Sequence, residues 1–235
     1  MGAEELVESF DLAGSTLDQS LPLNWNIAPT NEIYIVRSES DSRILGSASW
    51  GIIAPWQKNL VDARASQSHA INARSESIHE KPTFRDAFRR TRCIIPVNGY
   101  YEWATALGEY PPKQPFYISP DPKISTRAFA VAGIWSRWVS PNGEIIDSAS
   151  IITREAVGDL ATIHSRMPVM LPDDRWDSWL DSTQRDPLAA LELLRVDKPD
   201  YGLKANPISA RVNLVANNGA ELIIPITLGE PTTLF

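Results

Sequence analysis

The sequence PVNGYYEW at residues 96–103 organises the expectations for the rest of this chain. The apolar run at residues 93–95 leads into it and predicts a buried strand. Asn98 and Gly99 then predict a turn, because glycine accepts a positive φ at no steric cost. After the turn, two tyrosines and a tryptophan surround a single carboxylate, that of Glu102.

Glu102 has two interpretations. Aromatic neighbours exclude water from a carboxylate, which disfavours its charged form and prepares it to exchange protons near neutral pH. The alternative is an exposed glutamate at the end of a strand, between two aromatic residues of the core. Because structural carboxylates are commoner than catalytic ones, this stretch taken alone favours the structural interpretation.

Composition limits the possible classes of protein. The chain has 235 residues with 43% hydrophobic content, which suffices for a sizeable core in one large domain or two small ones. No apolar run approaches the roughly 18 residues that span a bilayer, and the acidic N-terminus does not resemble a signal peptide. The single cysteine allows no intrachain disulfide, which fits the reducing cytosol. A net charge of −7 argues against a generally basic surface but permits a local basic groove.

Strand and helix patterns mix along the chain without a βαβ rhythm, so we expect a single α+β domain over residues 1–235. The predicted strands are residues 33–37, 44–53, 93–95, 116–119, 129–138, 145–153 and 167–171. Helices are predicted at residues 4–10 and 83–92, after Pro172 and after Asp186. Residues 57–70 are predicted to form a loop, and residues 211–226 a hairpin.

The helix predicted at residues 83–92 carries a basic face. Thr83 is expected to cap it, with Asp86 completing a loose capping box. Arg85, Arg89 and Arg92 are spaced so that they share the outer side of the helix. This face is either simply solvated, which is slightly favoured, or contacts phosphates.

His164 is the natural proton shuttle at neutral pH, although an isolated histidine is more often structural. A metal site is not expected, because His69, His79 and His164 show no ligand spacing and one cysteine cannot complete a cysteine-based site. A nucleophilic Cys–His pair built on Cys93 is possible in principle. However, Cys93 lies in an apolar run, where burial raises the pKa of a thiol and makes it unreactive.

Ten short motifs occur in a characteristic order. They are NIAPT at residues 26–30, WG at 50–51, INARSE at 71–76, KPTFR at 81–85, CIIP at 93–96, GYYEW at 99–103, KQP at 113–115, AGIW at 132–135, IHSRMP at 163–168 and NNGAEL at 217–222. Together they resemble the SRAP family, the SOS response-associated peptidases, over residues 24–226. The resemblance implies a mainly antiparallel, barrel-like β core flanked by short helices.

The resemblance also implies a function. SRAP proteins bind single-stranded DNA and link covalently to abasic sites, without a cofactor or metal. Autocatalytic removal of the initiator methionine frees an N-terminal cysteine, whose amine forms a Schiff base with the opened sugar and whose thiol closes a thiazolidine. The expected partner is therefore single-stranded DNA with abasic sites, reached in the cytoplasm and at the bacterial nucleoid.

Family matching implies two sets of site residues. The catalytic set is Asn72, Glu102 and His164. The DNA-binding set is Trp56, Arg74, Arg85, Arg166, Asn26 and Thr153. In these roles His164 protonates the sugar ring oxygen, Glu102 takes a proton from the attacking amine, and Asn72 holds the amine or the sugar. Trp56 would fill the gap that a missing base leaves in the stack.

The sequence departs from the family at its start. SRAP proteins begin with MCGR and a short strand, whereas here Met1, Gly2 and Ala3 lead directly into the helix predicted at residues 4–10. Either the start is truncated or the covalent step is lost. The rival interpretations are a non-catalytic module that binds single-stranded DNA and a peptidase that acts on other substrates.

Overall fold

The computed structural model describes residues 2–12, 20–40, 42–105, 110–124, 128–200 and 202–228. Its strands are β1 Glu32–Glu39, β2 Ser42–Trp50, β3 Asn72–Arg74, β4 Arg92–Val97, β5 Tyr100–Trp103, β6 Pro115–Pro120, β7 Phe129–Val139, β8 Ile145–Glu155, β9 Arg166–Pro168 and β10 Leu203–Pro207. Its α-helices are α1 Ala3–Ser9, α2 Leu60–Gln67, α3 Pro82–Arg90, α4 Trp176–Leu180 and α5 Pro187–Leu193. Short 3₁₀ helices occupy Gly158–Thr162, Asp173–Arg175, Ala210–Asn213 and Ala220–Ile223. No helix in these ranges is long and apolar enough to cross a membrane.

Five strands close into a barrel. The order β2-β1-β4-β7-β8 is antiparallel at each step, and β8 then pairs in parallel with β2. That closing seam has only two register pairs, which join residues 49–50 to residues 148–149. Beyond them, the N–H of Gly51 donates to the carbonyl of Ala149 at 2.7 Å, and two serine hydroxyls add contacts: Ser148 accepts from the N–H of Ile53 at 2.8 Å, and Ser150 from that of Ile52 at 3.3 Å. The predicted α+β class with a barrel-like core is confirmed.

Alternate residues of the barrel strands point inward and form one apolar cluster. Its buried members are Ile33, Ile35, Ala48, Cys93, Ile95, Val131 and Ala149. Gly133 of β7 lies among them without a side chain. A Cβ at Gly133 would lie 2.8 Å from Cδ1 of Ile95 and 3.0 Å from Sγ of Cys93, so this position has no room for a larger residue.

Helices cover the outside of the barrel and bury a second, larger cluster. The rings of Phe10 and Trp176 stack there at 4.8 Å, and Nε1 of Trp179 donates to the carbonyl of Cys93 at 2.8 Å. The prediction that Arg92 lies on the outer face of the helix is wrong, because α3 ends before it. Arg92 is buried at the start of β4, and its guanidinium donates to backbone carbonyls, including that of Trp179 at 2.7 Å.

A second sheet, in the order β10-β6-β5, is also antiparallel. The predicted turn between β4 and β5 exists, but the reason given for Gly99 is wrong. Gly99 does not have a positive φ. Instead, a Cβ at this position would lie 2.5 Å from the ring of Tyr117. Glycine is required by close packing rather than by backbone conformation.

Three local predictions are wrong for identifiable reasons. Residues 57–70 contain α2, which begins where the Asn59 side chain accepts the N–H of Asp62 at 2.9 Å. Helix α3 begins at Pro82 with Lys81 before it, so Thr83 is not its cap. Residues 211–226 form 3₁₀ turns instead of a hairpin. The carbonyls of Val212, Leu214 and Asn217, which a hairpin could use for its backbone hydrogen bonds, accept from the side chain of Asn26 instead.

Candidate functional site

Glu102 and His164 meet although they are distant in the sequence. Glu102 lies on β5, and His164 follows the 3₁₀ helix Gly158–Thr162. Oε2 of Glu102 is 3.4 Å from Nδ1 of His164, and the two side chains are 23% and 30% exposed. The two segments are joined by the N–H of Thr105, which donates to the carbonyl of Ile163 at 2.9 Å. The fold therefore holds two of the three predicted catalytic residues together, with partial access to solvent.

The electrostatics of this pair favour proton exchange. Burial raises the pKa of Glu102, and the nearby His164 and a hydrogen bond from the N–H of Trp103 partly oppose that shift. The N–H of Trp103 donates to Oε1 at 3.1 Å, which leaves Oε2 facing the imidazole. A carboxyl group with a raised pKa beside an imidazole is an arrangement that can pass protons near neutral pH.

Asn72 and Arg74 lie on β3, beside the barrel. β3 pairs in parallel with β8, with Asn72 opposite Ile151 and Arg74 opposite Thr153. Both Asn72 and Arg74 are exposed while Ala73 between them is buried, so their side chains share the solvent-facing side of the strand. Thr153 is 7% exposed and lies between this strand and β9.

Arg166 connects the segment that follows β3 to the Glu102–His164 pair. Its backbone N–H donates to Nδ1 of His164 at 3.1 Å. Its guanidinium donates to both carboxylate oxygens of Glu76 at 2.8 and 2.9 Å and to the carbonyl of Thr153 at 2.7 Å. The charge of Arg166 is thus already paired, which differs from the prediction of a cation ready to bind phosphate. Glu76, for its part, has a pKa lowered by this hydrogen bond.

Asn26 anchors the C-terminal turns. Its Nδ2 donates to the carbonyls of Val212, Leu214 and Asn217 at 3.0, 3.2 and 3.2 Å, and the residue is 7% exposed. These bonds use the donors of the amide, and contact of Asn26 with DNA stays a prediction.

Trp56 and Arg85 lie near the N-terminal end of α3. Trp56 is 52% exposed and lines a cavity of about 320 Å³ together with Phe84 and Ala70. Ala70 is two residues before Asn72, so this indole is on the side of the barrel where β3 begins. The side chain of Arg85 is half exposed, and its Nε lies 4.0 Å from the carboxylate of Asp86.

Two residues at the site had no predicted role. Glu76 follows Arg74 by two positions, and its only sequence signal was its place in the INARSE motif. Tyr100 shares the strand face of Glu102, and its hydroxyl is buried without a hydrogen-bond partner among the described residues. Spacing by two along a strand could have indicated Tyr100, whereas the partner of Glu76 is visible only in three dimensions.

The fold and this arrangement of residues define a member of the SRAP family, the SOS response associated peptidases, whose sequence profile matches residues 1–215. The resemblance found in the motifs is therefore confirmed. Among the relatives is the abasic site processing protein YoqW of Bacillus subtilis, which is 33% identical over 232 residues with 94% of each chain covered. The abasic site processing protein HMCES of Gallus gallus is 30% identical over 83% of this chain and 61% of its own.

A solved structure of similar fold is the crystal structure of a protein from Bacteroides thetaiotaomicron. It matches with a TM-score of 0.72 and 27% sequence identity, covering 84% of this chain and 82% of that one. The TM-score shows that the two chains share a fold.

Proposed function

We propose that this protein binds single-stranded DNA at abasic sites and reacts with the opened sugar. The observation that carries the proposal is the Glu102–His164 pair, at 3.4 Å, which Arg166 links to the turn after the strand with exposed Asn72 and Arg74. Membership of the SRAP family supports it, as do relatives that are named abasic site processing proteins.

The chemistry begins with ring opening. An abasic deoxyribose is a cyclic hemiacetal, and its aldehyde appears only when the bond between C1′ and the ring oxygen breaks. That step places a proton on the ring oxygen and removes one from the C1′ hydroxyl. His164 supplies the proton for the ring oxygen, and solvent water accepts the one that the C1′ hydroxyl loses. When an amine then attacks the aldehyde, Glu102 takes the proton that the nitrogen loses and returns it to the carbinolamine hydroxyl, which leaves as water as the Schiff base forms.

The remaining residues hold the DNA. Arg74 and Arg85 carry exposed or half-exposed cationic side chains that neutralise backbone phosphates, while Asn72 binds the sugar or the amine without adding charge. The exposed indole of Trp56 stacks where the base is missing.

The covalent and peptidase steps need one further group. A thiazolidine requires an amine and a thiol on the same residue at a free N-terminus, and in SRAP proteins removal of the initiator methionine provides both. Cys93, the one cysteine of the 235 residues, lies far from any chain terminus and cannot supply this pair of groups. The stable crosslink and the autocatalytic cleavage therefore require an N-terminal cysteine of the family type.

A second candidate function is a binding module without covalent chemistry. The observation that favours it is the state of Cys93, which lies inside the barrel with 0% exposure and a pKa raised by burial. Such a thiol is not a nucleophile. The 235-residue chain would then recognise abasic DNA and form at most a Schiff base, which water reverses.

A crosslinking assay separates these functions. An abasic single-stranded oligonucleotide is incubated with each of three proteins: the 235-residue chain, its Cys93→Ala variant and a form extended with MCGR and the family's first strand. We expect a heat-stable band on a denaturing gel only from the extended form. The other two should give at most an adduct that borohydride traps.

Two outcomes would contradict this account. A heat-stable band from the 235-residue chain that disappears in Cys93→Ala would make Cys93 the nucleophile. No band from the extended form, despite normal DNA binding, would leave the binding module as the function. Glu102→Gln and His164→Ala in the extended form should slow crosslinking by about a hundredfold or more while leaving DNA binding nearly unchanged.

A further inference from the structure

The guanidinium of Arg166 is bound by Glu76 in the geometry that a phosphate would use. Two parallel N–H to oxygen contacts of 2.8 and 2.9 Å join the two side chains. Arginine recognises carboxylates and phosphates with the same planar fork, so the two anions are interchangeable on it. The contact lies next to the candidate site, because the backbone N–H of Arg166 also donates to Nδ1 of His164.

The two partners of this ion pair differ in how firmly they are held. The side chain of Arg166 is 20% exposed, and NH2 is anchored by the carbonyl of Thr153 at 2.7 Å. The side chain of Glu76 is 53% exposed and lies in the turn between β3 and α3. If the carboxylate leaves, Arg166 therefore keeps its position while Glu76 moves into water at little cost.

We propose that Glu76 is an internal competitor of DNA: it occupies the guanidinium of Arg166, a residue already expected to contact DNA, until a phosphate of the DNA backbone displaces it from this subsite. Arg74, exposed at the end of β3 two residues before Glu76, supplies a second positive charge near the incoming phosphate. No covalent bond changes in this exchange: one anion replaces another on the guanidinium. The inference deepens the proposed function and rests on its DNA-binding part.

The exchange has a measurable consequence, because an internal competitor lowers the affinity for DNA. Exposed ion pairs typically contribute up to about 1 kcal/mol, so removing the competitor should tighten DNA binding about threefold to fivefold. The variant is Glu76→Gln, which keeps the size of the side chain and removes its charge.

A matched control exists elsewhere on the barrel. Arg137 and Asp147 form another two-contact pair, with both N–H to oxygen distances at 2.8 Å, on the β7–β8 hairpin. Asp147→Asn changes the net charge by the same amount as Glu76→Gln, and its arginine is not beside the Glu102–His164 pair. If the gain in DNA affinity came from long-range electrostatics alone, it would appear in both Glu76→Gln and Asp147→Asn.

The experiment measures equilibrium binding of an intact single-stranded oligonucleotide by fluorescence anisotropy, since DNA without an abasic site has no aldehyde to react. The proteins are the wild type, Glu76→Gln, Asp147→Asn, Arg166→Met and the double variant Glu76→Gln/Arg166→Met. We expect a gain in DNA affinity in Glu76→Gln alone. The affinity of Asp147→Asn should change by less than about twofold, and Glu76→Gln should give no gain when Arg166 is methionine. Arg166→Met should also reduce the slope of log affinity against log salt by about 0.7, the value for one phosphate of a single strand.

Other results would overturn the proposal. If Glu76→Gln binds no more tightly than Asp147→Asn, or more weakly than the wild type, Glu76 is a structural tether of Arg166. If its gain persists in the Arg166→Met background, the gain does not come from this subsite. Thermal unfolding of each variant confirms that the fold is kept. Failure of the wild type to bind any single-stranded DNA would count against the proposed function itself, which distinguishes the two.

Discussion

The partly buried carboxyl group of Glu102 lowers the stability of the fold when it is ionised, and a role in the reaction would explain why it is there. Burial raises its pKa, so the folded protein binds this proton more tightly than the unfolded chain does. The contribution of the group to stability is therefore fully present below its unfolded pKa and is lost as the pH rises through the folded pKa. Above that folded pKa the protein holds a carboxylate charge in a place that disfavours it, which is common at reactive sites.

We accordingly expect Glu102→Gln to stabilise the fold at pH 7.5, because the amide cannot ionise and keeps a similar shape. The advantage should shrink as the pH falls through the folded pKa of Glu102. Urea unfolding at pH 7.5 and at pH 4.5 measures it, with the exposed Glu144→Gln as control. A less stable Glu102→Gln variant at pH 7.5 would mean that attraction to His164 outweighs the cost of burial.

Helices and strands differ in how far their sequence reveals them. β4, β7 and β8 lie where strands were predicted, and β4 was predicted from the short apolar run at residues 93–95. Helix α2 was missed because only Ala63 and Gln67 of its residues are buried, so no apolar face marks it.

The residues of the candidate site could also be predicted only in part from the sequence. Glu102 and His164 were identified from their neighbours and from family motifs, but their contact depends on how β5 and the 3₁₀ helix Gly158–Thr162 come together. Pairing of Arg166 with Glu76 left no sequence signal, because 90 positions separate the two residues. Local patterns predict elements, whereas contacts between distant charged groups follow only from the assembled sheet.

The close packing inside the barrel leads us to expect that β7 does not tolerate a side chain at Gly133. Gly133→Ala places a methyl group 2.8 Å from Cδ1 of Ile95 and should destabilise the fold by about 1–3 kcal/mol through overpacking. Gly46→Ala, on β2, is the matched control, since its Cβ would find its nearest neighbour at 3.9 Å. Chemical denaturation compares the two variants.

A smaller residue at position 95 tests the cause. Ile95→Val removes the atom nearest to the new methyl group, so adding it to Gly133→Ala should recover part of the lost stability. Equal stability of Gly133→Ala and Gly46→Ala would show that the barrel core adjusts without cost.

At the level of the whole protein, net charge and local charge point in opposite directions. The chain carries −7, yet Arg74 and Arg85 lie exposed or half-exposed on the segments around the candidate site. An acidic protein repels DNA at long range, so binding must come from short-range contacts to phosphates.

This reasoning predicts a distinctive salt dependence. Binding of single-stranded DNA should weaken as salt rises, and Arg74→Ala should reduce the slope of log affinity against log salt by about 0.7. Anisotropy titrations at several salt concentrations measure both effects, with Arg195→Ala, which lies beyond α5, as the control. Binding that ignores salt, or an Arg74→Ala slope equal to that of the wild type, would argue against phosphate contact at this strand.

The parallel seam between β2 and β8 has a consequence for how this protein folds. It joins residues 49–50 to residues 148–149 through two register pairs, so a long loop of chain must be ordered before the barrel can close. The hairpins β1–β2 and β7–β8 need only local turns and can form early. Closure should therefore be the slow step, and until it occurs the nascent chain carries two unpaired strand edges that are prone to aggregation.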